Sequence, residues 1–245
     1  MGPRGIITID GPAGAGKSTV ARLLAATLGY LYLDSGALDR LVGWQAAERN
    51  LDLGDTAALS AFLEGLQPEV AADAQGFHLF LDGQEVSQVL REPSVSREAS
   101  RVAVLPPVRD WVTARLRHLA ANGGMVADGR DLGTVVFPQA EVTFYLDASL
   151  EISAANLDAS LETRAARRRQ DWQNADAPPS PEKVAMELAD RDRRDATRAA
   201  APMRVPADAL VIDTTNLNPQ EVVRQCLERI REIFPETAGL EMKTG

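Results

Sequence analysis

Ile6-Ile7-Thr8-Ile9-Asp10 runs straight into Gly11-Pro12-Ala13-Gly14-Ala15-Gly16-Lys17-Ser18, and Thr19 then opens a run with Ala21, Leu24 and Leu28 at helical spacing. A β-branched run, a glycine-rich octet and an apolar-periodic segment, in that order, read as strand, phosphate-binding loop and helix. The glycines let backbone amides turn inward around phosphate oxygens, and the helix presents the positive end of its dipole to them. Lys17 would reach the outer phosphates of a nucleoside triphosphate, and the Ser18 hydroxyl is placed to bind the magnesium ion that accompanies it. Gly11, Pro12, Ala13, Gly14, Ala15, Gly16, Lys17, Ser18 and Thr19 are thus the candidate triphosphate cradle, with Ser18 as its metal ligand.

Working outward, Tyr30 to Leu33 reads as a buried strand ending at Asp34-Ser35-Gly36, followed by helices over 41–49 and 51–66, the second begun at Asp55-Thr56. Residues 69–100 change character to short strands, 77–82 and 84–89, joined by a turn at Asp82-Gly83 and closed by Pro93. A strong amphipathic helix over 106–122 precedes a strand at 125–127 that leads into Asp128-Gly129-Arg130-Asp131. A strand at 142–146, two charged helices, a strand at 210–213 and a helix over 219–234 complete the order. Alternating strands and helices imply a doubly wound parallel sheet, and the segment that breaks the alternation reads as a small β-rich insert. Ligands of such sheets gather at the carboxyl ends of the strands, which brings residues 11–18, 34–40 and 128–131 to one edge.

The chain has 245 residues, a net charge of −9 and 45% apolar content, which suits one large soluble α/β domain. No apolar run approaches the length of a membrane span, and the first residues cannot form a secretion signal, so a cytoplasmic protein is expected. Negative charge argues against a polymeric nucleic acid as partner. The single cysteine, Cys226, falls in the pattern of the last helix and reads as a small core residue. Arginine is concentrated at Arg164, Arg167, Arg168 and Arg169 and again at Arg191, Arg193, Arg194 and Arg198. Such clusters in an acidic chain fit recognition of discrete phosphates. Arg164, Arg167 and Arg168 share one helical face, as do Arg191, Arg194, Asp195 and Arg198. Residues 162–198 are therefore the candidate flap, supplying cations and excluding water during phosphoryl transfer.

The stretches ITIDGPAGAGKST, YLDSGALDR, ASRVAVLPPVR, ADGRDLGTVVFP, LDASLETRAARRRQ, RDRRDATRAAAP and ADALVIDTT resemble the bacterial cytidylate kinases, within the nucleoside monophosphate kinases. They extend over nearly the whole chain, in the family's order and spacing. The resemblance implies a single α/β domain over 1–245. It would have a P-loop NTPase-like parallel sheet flanked by helices, a β-rich NMP-binding insert at about 67–100 and a helical lid at about 162–198. It also implies transfer of the γ-phosphoryl group of ATP, with Mg2+, to CMP or dCMP. On that reading Lys17, Arg130, Arg164, Arg168 and Arg191 are the catalytic cations. Ser35, Arg40 and Arg130 surround the acceptor and its phosphate, Ser100, Arg109 and Asp131 read the cytosine edge, and Arg191, Asp195 and Arg198 contact sugar and phosphate. A carboxylate at Asp131 would accept from the cytosine amino group and repel uracil. The chain departs from the family where Asp39 replaces an aromatic residue, where Ala196 replaces a basic one, and where residues 146–151 recur as 157–162. Asp39 is expected to point away from the site and the recurrence to be a neutral duplication. A monomer is expected, since no long exposed apolar stripe is evident. A kinase for another small acceptor and a nucleotide-dependent switch remain as alternatives. The switch is disfavoured because Thr214-Thr215-Asn216-Leu217 does not supply a guanine-reading NKxD stretch.

Overall fold

The computed structural model describes residues 5–72, 76–147, 157–170 and 180–237. The chain runs β1 (Ile6–Asp10), α1 (Lys17–Leu28), β2 (Leu31–Asp34), α2 (Ser35–Glu48), α3 (Thr56–Gly65), β3 (Glu69–Ala72), β4 (Phe77–Leu81), β5 (Gln84–Glu85), α4 (Pro93–Val102), α5 (Pro106–Leu119), β6 (Met125–Asp128), β7 (Val142–Asp147), α6 (Leu157–Gln170), α7 (Pro181–Thr197), β8 (Leu210–Asp213) and α8 (Pro219–Ile233). Five strands form a parallel sheet in the order β2-β6-β1-β7-β8. The chain leaves central β1 for the edge strand β2, returns to β6 between them, and then crosses to the other side of β1. That reversal makes β1 the switch point at which α/β sheets open a crevice.

Each of these five strands ends on an aspartate: Asp10, Asp34, Asp128, Asp147 and Asp213. The register sets Asp34 opposite Asp128 and Asp147 opposite Asp213, so the carboxylates line the edge where the loops emerge. Below that edge the strands are apolar on both faces, as parallel strands covered by helices must be. Ile7, Ile9, Val126, Ala127 and Phe144 are fully buried, and α1 adds Val20, Ala21 and Leu24 to the same core. Burying each large side chain of this kind stabilises the fold by about 1.5–3 kcal/mol. Cys226 is in this core on α8, which packs against α1 and β7, and burial pushes its thiol well above the usual range.

Helix boundaries follow their caps. Asp34 accepts from the Ala37 amide at 3.1 Å, and this starts α2 at Ser35, six residues before the helix expected from the sequence. Pro93, expected to close the insert, instead occupies the first turn of α4, where a missing N–H costs nothing. The insert is therefore half sheet and half helix. β3, β4 and β5 form an antiparallel sheet whose Asp82-Gly83 turn has φ of 52° and 77°. Positive φ at both central residues is what a two-residue hairpin of matching twist requires. The expected strand over 84–89 is shorter, because Val89–Arg91 turns into a helical bend ahead of α4. The flap region folds as the antiparallel-ordered pair α6 and α7, with α6 reaching back to Leu157. The first copy of the recurring hexapeptide and the loop between α6 and α7 lie largely outside the described residues.

Candidate active site

Side chains of the site come from the strand ends, from α1 and α2, which follow them, and from α4 to α7. Gly14 has a φ of +78°, and a Cβ there would lie 2.7 Å from the Arg164 carbonyl oxygen, so α6 rests directly on the phosphate loop. Lys17 is buried and donates to the Pro12 carbonyl at 2.7 Å. Its ammonium is held well below the usual value by burial and then by the neighbouring charge of Arg130, with Arg191 adding to it. Arg191 is likewise lowered to about 10 by burial and then by Arg130. Three cations thus converge, and Arg130, itself held up by neighbouring aspartates, depresses the other two, which marks a place built for a polyanion.

On the β2 and β6 side, Ser18 donates to Asp128 Oδ2 at 2.8 Å and Tyr32 donates to Oδ1 at 2.7 Å. Ser35 donates to the Asp128 backbone carbonyl at 2.7 Å. Burial, and next the charge of Asp34, raise the Asp128 carboxyl. Burial alone would also raise Asp34, but Arg40, donating at 2.7 Å, brings it below the usual carboxylate value. Asp10 accepts from the Leu132 and Gly133 amides at 2.9 and 2.7 Å and so ties the loop after β6 to the phosphate-loop strand. Burial nevertheless pushes its carboxyl up to about 6.

Toward the insert and α7, Arg109 donates to Asp131, whose other oxygen faces Arg198 Nη2 at 3.1 Å. Arg130 donates to Asp195 at 3.1 Å, and Arg191 Nε lies 3.8 Å from the same carboxylate oxygen. Four buried polar atoms of the site have no hydrogen-bond partner among the described residues: Ser100 Oγ and the Nε atoms of Arg40, Arg109 and Arg191. Buried polar atoms are rarely left unpaired, and a cluster of them points to groups a ligand supplies.

The structure brings together Lys17, Ser18, Ser35, Arg40, Arg130, Arg191 and Asp195 around the strand ends, with Arg109, Asp131 and Arg198 in an adjoining corner, while Ser100 is buried on α4. The two arginine faces expected from helical spacing are divided. Arg164 donates to the Ala13 carbonyl at 3.2 Å and to Asp192, Arg168 reaches Ser96 on α4 at 3.2 Å, and Arg167 turns to the Thr214 carbonyl at 2.8 Å. Arg194 is exposed and bonds the Asp190 carbonyl of its own helix. Long guanidinium side chains that start on one helical face can end against three different elements. Asp39 also corrects its expectation. It points into the site, with Oδ1 3.4 Å from Arg109 Nη1. Sequence reasoning missed Asp192, which accepts from the Ala13 amide of the phosphate loop at 3.2 Å, and the roles of Asp10, Asp34 and Asp128. The repeated aspartate at strand ends was the available signal for the last three.

A phosphate loop at the switch point of a parallel sheet, ringed by arginines from a helical pair, defines a phosphotransferase of the P-loop kinase class. The family model described as cytidylate kinase matches residues 7–232. The chain belongs to the cytidylate kinase family. It is 41% identical over 225 residues to a cytidylate kinase of Pelotomaculum thermopropionicum, covering 91% of this chain and 95% of that one. It is also 41% identical over 222 residues to a cytidylate kinase of Aliivibrio salmonicida, covering 91% and 94%. A bifunctional pantoate ligase/cytidylate kinase of Acaryochloris marina is 39% identical over 237 residues, 95% of this chain and 43% of the longer protein.

Proposed function

We propose that this protein transfers the γ-phosphoryl group of ATP to CMP or dCMP, giving CDP or dCDP and ADP. The observation that carries this reading is the convergence of Lys17, Arg130 and Arg191, in a molecule whose Ser100 Oγ and Arg109 Nε are buried without a partner. The cations suit two phosphates brought face to face, and the unpartnered atoms suit a base edge beside them.

In the reaction an oxygen of the acceptor phosphate attacks the γ-phosphorus. The bond from that phosphorus to the bridging oxygen breaks, and ADP leaves with the electron pair. The acceptor phosphate is already ionised near neutral pH, so no general base is required. Catalysis is then positioning and charge stabilisation. The loop amides and Lys17 hold the donor, Ser35, Arg40 and Arg130 hold the acceptor phosphate, and Arg191 with Asp195 and Arg198 spans sugar and phosphate. Arg164 ties α6 to the loop and Arg168 ties it to α4, and a closed helical pair would exclude the water that otherwise hydrolyses ATP. Ser100, Arg109 and Asp131 read the base.

The hard oxygen donors Ser18 and Asp128 fit a magnesium ion, since a divalent cation would offset the burial that raises the Asp128 carboxyl. Ser18 and Asp128 would hold the ion, whose positive charge would offset the negative charge that develops on the phosphates. No helix among the described residues is long and apolar enough to cross a membrane, and with a net charge of −9 we read the protein as a cytoplasmic monomer acting on free nucleotides.

The test is ADP release from ATP and Mg2+ with CMP, dCMP, UMP, AMP, GMP or no acceptor. Strong turnover confined to CMP and dCMP is expected. Slow turnover indifferent to the acceptor would overturn the reading.

A further inference from the structure

The base-reading corner contains one residue that the reading above leaves without a role. Asp39 lies on α2, and its Oδ1 is 3.4 Å from Arg109 Nη1. The same guanidinium donates through Nη2 to Asp131 Oδ2, and Asp131 Oδ1 faces Arg198 Nη2 at 3.1 Å. Side-chain exposures are 17% for Asp39, 6% for Arg109, 5% for Asp131 and 2% for Arg198, so the four groups share a poorly solvated pocket. Four elements contribute charge around Asp39: Arg109 from α5, Asp131 from the loop after β6, Asp195 from α7, and Arg198 just beyond α7.

Counted by charge, Arg109 and Arg198 meet two carboxylates, Asp131 and Asp39. Without Asp39 a single carboxylate would face two guanidinium groups, and Asp131 would be fully drawn into neutralising them. A corner with surplus positive charge attracts a carbonyl oxygen and repels an amino group. Cytosine presents an amino donor where uracil presents a carbonyl acceptor.

We propose that Asp39 is a specificity-determining residue, the second carboxylate of the base-reading corner, which balances Arg109 so that Asp131 stays available to the amino group of an aminopyrimidine. This rests on the acceptor reading given above. Asp39 touches Arg109 rather than the base, so it acts through its neighbour as a positioning residue. Burial raises its carboxyl, and Arg109 is the first charge to oppose that rise.

The experiment compares kcat/KM for CMP and for UMP in wild type, Asp39→Asn and Asp39→Glu, with thermal midpoints measured alongside. Asp39→Asn keeps the shape and removes the charge. It should lower the CMP-to-UMP ratio about tenfold or more, the scale of discrimination a mispaired polar group produces. Asp39→Glu should restore the ratio to within about threefold of wild type, since the charge returns. A ratio unchanged in Asp39→Asn, with both acceptors losing activity equally, would mark Asp39 as structural and overturn the proposal. If the Asn variant folds poorly, Asp39→Ala is read in the same way. A wild type that uses neither CMP nor dCMP would instead defeat the acceptor reading itself, so the two failures are distinct.

Discussion

The sheet and the α6–α7 pair meet at the phosphate loop but are held by different forces. Beneath the loop the contacts are apolar, with Ile7, Ile9, Leu24, Val126 and Phe144 fully buried in one continuous core. Above it the apolar contribution shrinks to Ala13, Ala165, Val184 and Leu188. The rest of the upper attachment is polar: Arg164 and Asp192 with the Ala13 backbone, Arg130 with Asp195, Arg198 with Asp131, Arg168 with Ser96, and Arg97 with Glu187. Burial of apolar area is indifferent to a nucleotide, whereas on the proposed function these arginines would exchange partners when phosphates arrive. Exposed pairs are each worth only about 0–1 kcal/mol, and removing one member of a buried pair costs more than the pair itself contributes. We therefore expect the helical pair to open more easily than the sheet.

The contrast breaks if a core substitution behaves like one in the helical pair. Leu24→Ala empties a fully buried site in α1 and should cost about 2–5 kcal/mol in urea unfolding. The Michaelis constants of the surviving folded protein should scarcely move. A loss below about 1 kcal/mol would mean that the core is less tightly packed than its burial indicates.

A second measurement sharpens the sheet side by pH. The Asp10 carboxyl has a folded value of about 6 against 3.8 for the free side chain. The folded state therefore binds this proton more tightly, so the group costs nothing below both values. The cost grows as pH rises from 3.8 to about 6, reaching about 3 kcal/mol. Wild type should lose stability relative to Asp10→Asn across that window and hold a constant offset above it, and parallel curves at every pH would exclude Asp10 as the cause.

The smallest expected effect belongs to the helical pair. Asp192 accepts from the Ala13 amide at 3.2 Å, where a phosphate oxygen would also bind, so it competes with the donor nucleotide. Asp192→Ala should lower KM for ATP about threefold, while the loss of Arg164's carboxylate lowers the thermal midpoint by a few degrees. A rise in KM would show that Asp192 instead positions Arg164 for the nucleotide.

Much of the sheet was legible because its signals are local. The β-branched run before Gly11, the Asp82-Gly83 turn and the proline opening α8 each act within a few residues. Pro93 misled because the same residue ends one element and begins another, and only the spatial partner of the following turn decides which. The arginines show a deeper limit. Helical spacing tells which side chains leave from one face, but the Arg164, Arg167 and Arg168 guanidiniums are sorted by Asp192, Thr214 and Ser96, which lie far away in sequence. Asp39 was misread for the same reason, since its partner Arg109 sits 70 positions along the chain.

Cys226 has a use that its burial confers. It is the chain's single thiol, fully enclosed where α8 packs on α1 and β7. A thiol-labelling reagent can reach it only while that helix is lifted away. The labelling rate of the unmodified protein is therefore a built-in clock for breathing of the interior, and it needs no introduced probe.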